Sequence, residues 1–305
     1  MTMFLASASL GVWLDQTFAG FDMAVFNFFG SLHSGIMNII SMIFTAMGAT
    51  TYVALFALFG LVLIFFRRTR KYGFALVAAI IIGTLLTNVL FKPLFLRVRP
   101  YNSLQDVASY FGWYQHAGML AESDYSFPSG HTTGATEIGL VLCLCFASDR
   151  KWKFAWIGPV VAVLVGCSRI YLMVHYATDV LAGFIIGIIA AVAAFYISKA
   201  LTGLINNAID SRRNFKKKKH PAISGTQLAV TCLIAWLVIF CAGFIPVITA
   251  ANSDPLRCAY DGDYKCYNEA RTDDKYPAID GNYYCKIHWK EITEGLEAAQ
   301  PAVQN

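Results

Sequence analysis

Apolar residues run along this chain in long blocks instead of recurring at the spacing of an amphipathic helix. A helix needs about 20 mostly apolar residues to cross the hydrocarbon core, where only its own backbone hydrogen bonds are available. Six blocks come near that length, at residues 50–66, 73–91, 132–147, 154–173, 176–198 and 226–250. Those at 50 and 132 are short. The apolar stretch 36–46 extends the first backwards, so 36–66 reads either as a broken helix or as a surface helix leading into a span. The pattern predicts an all-α, polytopic membrane protein, because helices of a soluble core need a polar face that these blocks lack.

The same pattern divides the chain. Residues 1–49 read as interfacial or partly inserted helices; Met1–Gly20 lacks the basic start of a secretory signal. Residues 50–198 form a compact domain of five spans, 199–225 a basic cytoplasmic linker, 226–250 a sixth span, and 251–305 a polar tail.

Charge adds an orientation. Basic residues cluster at Arg67, Arg68, Arg70 and Lys71, at Arg150, Lys151 and Lys153, and at Arg212, Arg213 and Lys216 to Lys219. Lys and Arg in short loops are retained on the cytoplasmic side. The three clusters fall in alternate loops, so residues 92–131, the turn at 172–176 and the tail face outward from a cell membrane. The net charge of +5 is thereby a membrane property, and no aromatic stacking motif accompanies it as nucleic-acid binding would require. The expected partners are the bilayer and a lipid; no protein partner is indicated.

Cysteines fall in two groups. Cys143, Cys145, Cys167, Cys232 and Cys241 lie in apolar blocks and read as packing residues. Cys258, Cys266 and Cys285 lie in the tail, where one disulfide and one leftover thiol are expected. Zinc is the weaker alternative, with His288 as a fourth ligand in a spacing that matches no known pattern. The tail reads as either a small disulfide-tied module or a largely disordered segment.

Polar residues at the edges of apolar spans are costly and point to function. Three groups stand out: Lys92 with Arg99 and Pro100; Pro128, Ser129, Gly130 and His131; and Ser168, Arg169, His175 and Asp179. All lie at outward span ends. Lys92, Arg99 and Arg169 supply positive charge for phosphate oxygens, and Ser129 and Gly130 sit where a helix begins, a natural anion site. His175 and Asp179, four apart, share a helix face, so the carboxylate can orient the imidazole for attack on phosphorus. His131 is left to protonate the leaving oxygen and later to activate water. This chemistry calls for no metal and no cofactor. The loop 101–127 is rich in aromatic residues suited to the headgroup interface; the roles of His116, Glu122 and Asp124 within it are not legible.

Lys92–x6–Arg99–Pro100, Pro128–Ser129–Gly130–His131 and Ser168–Arg169–x5–His175–x3–Asp179 resemble, position for position, the three motifs of the type 2 phosphatidic acid phosphatase superfamily, over roughly residues 50–198. The resemblance implies a six-helix membrane bundle, metal-free catalysis, His175 as nucleophile, His131 as acid, Asp179 as its support, and Lys92, Arg99 and Arg169 as phosphate ligands. It also implies hydrolysis of a lipid phosphate or diphosphate, in a bacterial setting undecaprenyl diphosphate or phosphatidylglycerophosphate, with phosphatidic acid as a further substrate. Vanadate haloperoxidases share the pocket but are soluble. A lipid-diphosphate-dependent phosphotransferase and a non-catalytic anion-binding protein are the remaining alternatives; the second has no need of both histidines and Asp179.

Overall fold

A computed structural model describes residues 2–213, 256–262 and 265–294. The sixth block at 226–250, the lysine run at 216–219 and Cys232 and Cys241 lie outside the described residues. The fold is helical, and among the described residues extended pairing is limited to isolated bridges in the tail.

The chain opens with α1 (Thr2–Ser31) and α2 (Gly35–Ala46), then α3 (Thr50–Phe65) and α4 (Arg70–Thr84). A π-helical segment (Leu85–Phe91) continues α4 into the short α5 (Lys92–Phe95); α6 (Pro100–Ser103) and α7 (Ala108–His116) follow. Next come α8 (Gly130–Ser148), α9 (Trp152–Ala155), α10 (Ile157–Tyr171) and α11 (Ala177–Arg213), and in the tail α12 (Lys286–Glu294). Among the described residues, four stretches are long and apolar enough to cross a membrane: Gly35–Phe65, Arg70–Ser103, Trp152–Tyr171 and Ala177–Ser211. Their outer faces expose Leu58, Leu61, Ile81, Val89, Ile185 and Ile189, the apolar surface a lipid contact needs.

The stretch from residue 36 to 66 is a broken helix. Its interruption at Met47–Ala49 brings Gly48 against the Cβ and carbonyl of His131, at distances that leave no room for a side chain. Helix α8 is central, packed against α4, α10 and α11. Its backbone meets that of α10 directly: a Cβ on Gly139 would lie 2.5 Å from the Gly158 carbonyl oxygen. In lipid no hydrophobic force drives helices together, so close approach through small residues supplies the packing.

The N-terminal segment and the aromatic loop both pack onto the bundle. Residues 2–31 form one helix that packs on α5, α10 and α11 and buries Asp22. The aromatic loop residues Tyr101, Trp113 and Tyr114 are likewise interior: with Phe26, Tyr171 and Tyr176 they form a buried cluster under α1. Both follow from α1 covering a surface that the sequence alone leaves open to the headgroups.

The basic loops meet at one end of the bundle. Arg67 forms a two-pronged pair with Asp210 (2.8 and 2.6 Å), and Lys71 pairs with Asp149 at 2.5 Å. The three polar motifs lie at the opposite end.

The tail departs from its expected state. Cys258, Cys266 and Cys285 are all unbonded and buried, and they converge with His288. No disulfide joins any pair. This group rests against the loop between α7 and α8 through Arg257, Glu269 and Lys286: the Glu269 amide donates to the Glu122 carbonyl (3.2 Å), the Lys286 amide to that of Ser123 (3.1 Å), and Arg257 to that of Met119 (2.8 Å).

Candidate active site

The first motif owes its shape to a helix that stops abruptly. Leu96 adopts the left-handed conformation (φ +50°), ending α5 after one turn. Residues 97–99 then run without helix, and side chains two apart in extended chain share a side. Arg97 and Arg99 both enter the interior, 1% and 2% exposed.

Arg99 donates to the Asp124 carboxylate (2.6 Å) and carbonyl (2.8 Å) and to the Val174 carbonyl (2.9 Å), and its Nη1 lies 3.3 Å from His175 Nε2. Lys92 Nζ reaches the other oxygen of Asp124 at 2.5 Å. Arg169, fully buried on α10, donates to Thr45 Oγ1 (2.6 Å) and pairs with Glu122, whose carboxylate also lies 3.9 Å from His131 Nδ1. Ser129 caps α8: its hydroxyl accepts from the Thr132 amide and from the Thr132 hydroxyl. Gly130 and His131 form the first turn beyond it.

His175 does not share a helix with Asp179, contrary to the spacing argument: α11 begins at Ala177, and His175 lies in the turn before it. Asp179, in the first turn, folds its carboxylate back to accept the Tyr176 amide (2.9 Å), and Oδ2 lies 3.6 Å from His175 Nδ1. Negative charge is favoured at a helix N-terminus. The carboxylate also accepts from Arg97 (2.6 Å) and from Ser126 Oγ (2.5 Å). Arg97 in turn pairs with Asp15 (2.7 Å) and Asp22 (2.8 Å) of α1.

All three motifs are therefore joined, largely through the 122–126 segment. Burial and the positive Arg99, Arg169 and Lys92 hold His175 well below the ordinary histidine pKa, so its imidazole is neutral near pH 7. Burial alone would raise Glu122 and Asp124. Arg169, His131 and Arg99 around the first, and Lys92 and Arg99 around the second, outweigh it and hold both below the usual carboxylate range. Sequence reasoning missed Arg97, Ser126, Thr45 and the two loop carboxylates. Only Arg97 gave a signal, as a charge in the apolar run Leu94–Val98.

Spanning helices and one buried pocket of cations, carboxylates and two histidines define a multi-pass membrane protein with a polar centre at one end of its bundle. The PAP2 superfamily model matches residues 71–203. Phosphatidylglycerophosphatase B of Bacillus subtilis is 35% identical over 153 residues, covering 48% of this chain and 67% of that protein. The undecaprenyl-diphosphatase of Sulfolobus acidocaldarius is 36% identical over 129 residues, 41% of this chain and 54% of the relative, so the chain spans about half of its length. The crystal structure of a transmembrane PAP2-type phosphatidylglycerolphosphate phosphatase from Bacillus subtilis overlaps 67% of this chain and 96% of its own, at 29% identity and a TM-score of 0.49. The chain belongs to the PAP2 superfamily. The tail at 256–294 lies outside the family match.

Proposed function

We propose that this protein is a membrane phosphatase that removes phosphate from a lipid phosphate or diphosphate through a phosphohistidine on His175, without a metal in the reaction. The observation that carries this reading is the environment of His175: a buried imidazole with Nε2 at 3.3 Å from Arg99 and Nδ1 at 3.6 Å from Asp179, which burial and the surrounding cations hold below the ordinary histidine pKa. A pocket that only bound anions has no use for a neutral, oriented imidazole.

In the reaction Nε2 attacks phosphorus while Nδ1, kept protonated by Asp179, lets the ring take up positive charge. Lys92, Arg99 and Arg169 stabilise the equatorial oxygens, and Ser129 and Gly130 place the start of α8 beside them. Burial and Arg169 hold the pKa of the resting His131 down to about 3; an entering phosphate adds negative charge beside it and raises that value, so that His131 gives its proton to the leaving lipid oxygen, then takes one from water as the phosphohistidine is hydrolysed. The cations are already paired with Glu122 and Asp124, so an entering phosphate displaces these carboxylates. The basic loops gather at the far end of the bundle, which supports an extracytoplasmic active site in the plasma membrane.

The two relatives' names divide between phosphatidylglycerophosphate and undecaprenyl diphosphate. We favour undecaprenyl diphosphate, and the test is phosphate release by detergent-purified protein in magnesium-free buffer from undecaprenyl diphosphate, phosphatidylglycerophosphate and phosphatidic acid. Release abolished by His175→Ala is expected. No release from any lipid, or a parent indistinguishable from His175→Ala, would defeat the hydrolase reading; dependence on added magnesium would defeat the metal-free mechanism; and release raised by an added alcohol acceptor, with the phosphoryl group recovered on it, would point to a phosphotransferase.

A further inference from the structure

We propose that Cys258, Cys266, Cys285 and His288 form a tetrahedral zinc(II) site that fastens the tail onto the loop bearing Glu122 and Asp124.

The ligand atoms of these four residues all lie within 4.8 Å of one another, and all four residues are buried. His288 Nδ1 is 3.4 Å from Cys258 Sγ and 3.3 Å from Cys285 Sγ. Zn–S bonds of about 2.3 Å and Zn–N bonds of about 2.0 Å in tetrahedral geometry require sulfur–nitrogen edges of about 3.5 Å. A single imidazole nitrogen has one proton or one lone pair, so hydrogen bonding to one thiol leaves the second sulfur at that distance unexplained. A shared metal accounts for both.

The chain around the site is arranged as a metal's supporting groups are. The two sulfurs accept N–H groups, Cys258 Sγ from the Cys285 amide (3.2 Å) and Cys285 Sγ from Asn268 Nδ2 (3.5 Å), as thiolates do. His288 turns its other nitrogen, Nε2, toward Glu291 at 3.6 Å, the carboxylate–histidine arrangement that fixes the tautomer of a metal ligand. Tyr260 stacks on the imidazole, centroids 3.8 Å apart and planes at 5°, which sets the ring's orientation.

Backbone topology delivers the ligands in two pairs. Cys258 and Cys266 lie on opposite arms of a loop closed by the Arg257–Glu269 bridge and by the Cys258 amide donating to the Asn268 carbonyl (3.0 Å). Cys285 and His288, three apart, straddle the start of α12. The energetic need is plain: among the described residues the tail's buried apolar cluster is the three cysteines and Ile287, with Tyr125, Tyr260 and Tyr284 packed against it and Ala270 and Tyr276 buried besides. So small a core cannot order a segment of this size, and a structural metal is a usual substitute. Binding exchanges thiol protons for Zn–S bonds, with no change of oxidation state. Zinc is preferred over harder cations because three of the four ligands are soft sulfurs.

The test uses the full-length protein in detergent, purified through a tag that binds no metal, with zinc measured by mass spectrometry and free thiols by alkylation after denaturation in chelator. About one zinc per chain is expected, with Cys258, Cys266 and Cys285 all alkylated without prior reduction. Cys266→Ser and His288→Ala should lose the metal. Glu291→Gln, which leaves every ligand in place, should retain the fold and bind zinc about 10- to 100-fold more weakly in a competition with a chelating dye. Metal-free protein with two of the three cysteines disulfide-linked would overturn the proposal, as would zinc that survives both ligand substitutions. Because the readouts are metal and thiols, failure here leaves the phosphatase reading standing, and failure of the phosphatase assay leaves this one standing.

Discussion

Asp179→Asn isolates the part of the site that orients His175. The carboxylate has four neighbours: Arg97 on Oδ1, and Ser126, the Tyr176 amide and His175 on Oδ2. An asparagine must keep its oxygen toward Arg97, since an NH2 group at 2.6 Å from a guanidinium would set two donors against each other with a positive charge between them. Its NH2 group then replaces Oδ2. Ser126 can rotate to accept, but the Tyr176 N–H loses its acceptor, a cost of about 1–3 kcal/mol in stability. The larger effect is on the imidazole: a donor now faces Nδ1 while Arg99 Nη1 already faces Nε2 at 3.3 Å, so the tautomer that leaves Nε2 free to attack is no longer the one selected. A wrong tautomer of this kind costs about 10⁴-fold in kcat, or about 5.5 kcal/mol of barrier. The assay is single-turnover phosphate release beside detergent-phase thermal unfolding. We expect kcat to fall by about 10³- to 10⁴-fold with KM little changed and Tm lowered by a few degrees. A variant within tenfold of the parent's kcat would refute the orienting role of Asp179.

Three further outcomes follow from the same geometry. Arg97→Met leaves Asp15, Asp22 and Asp179 without their shared cation; breaking buried pairs in this way costs about 3–5 kcal/mol, read as a sharp loss of Tm, whereas an unchanged Tm would show that α1 is held by packing alone. Asp124→Asn removes the anion that Lys92 and Arg99 hold in place of phosphate, so inhibition by inorganic phosphate should strengthen about tenfold, about 1.4 kcal/mol; weaker inhibition would mean that Asp124 positions the cations instead of competing for them. Acid should destabilise the fold in two stages. The folded pKa of His175 is below its unfolded value of about 6.5, so its contribution is complete above that pH and is lost on acidification as the unfolded chain gains the proton first. Glu122 and Asp124 are also depressed in the fold, and their contribution is lost below about pH 4 as pH falls through their folded values; a Tm constant from pH 7 to pH 3 would contradict both.

What could be read from the chain was local. Long apolar blocks indicate membrane helices because a buried backbone in lipid leaves few alternatives, and Lys92, Arg99, His131, Arg169 and His175 stand out because charge at a span end is expensive. The order of those residues also carries the family motifs. The tertiary structure decided which partners these groups meet. Glu122 and Asp124 look like ordinary loop acids until the loop folds across Arg99, Arg169 and Lys92; Arg97 is one more cation until α1, which lies some 75 positions earlier in sequence at Asp22, brings its carboxylates beside Asp179. The tail shows the difference most sharply. Three cysteines in a polar segment suggest a disulfide and a remainder, because pairing is the chemistry that spacing allows one to imagine. Their convergence with His288 depends on a loop and a helix start meeting in space, and hydrophobic period and charge pattern, being local, do not encode that meeting.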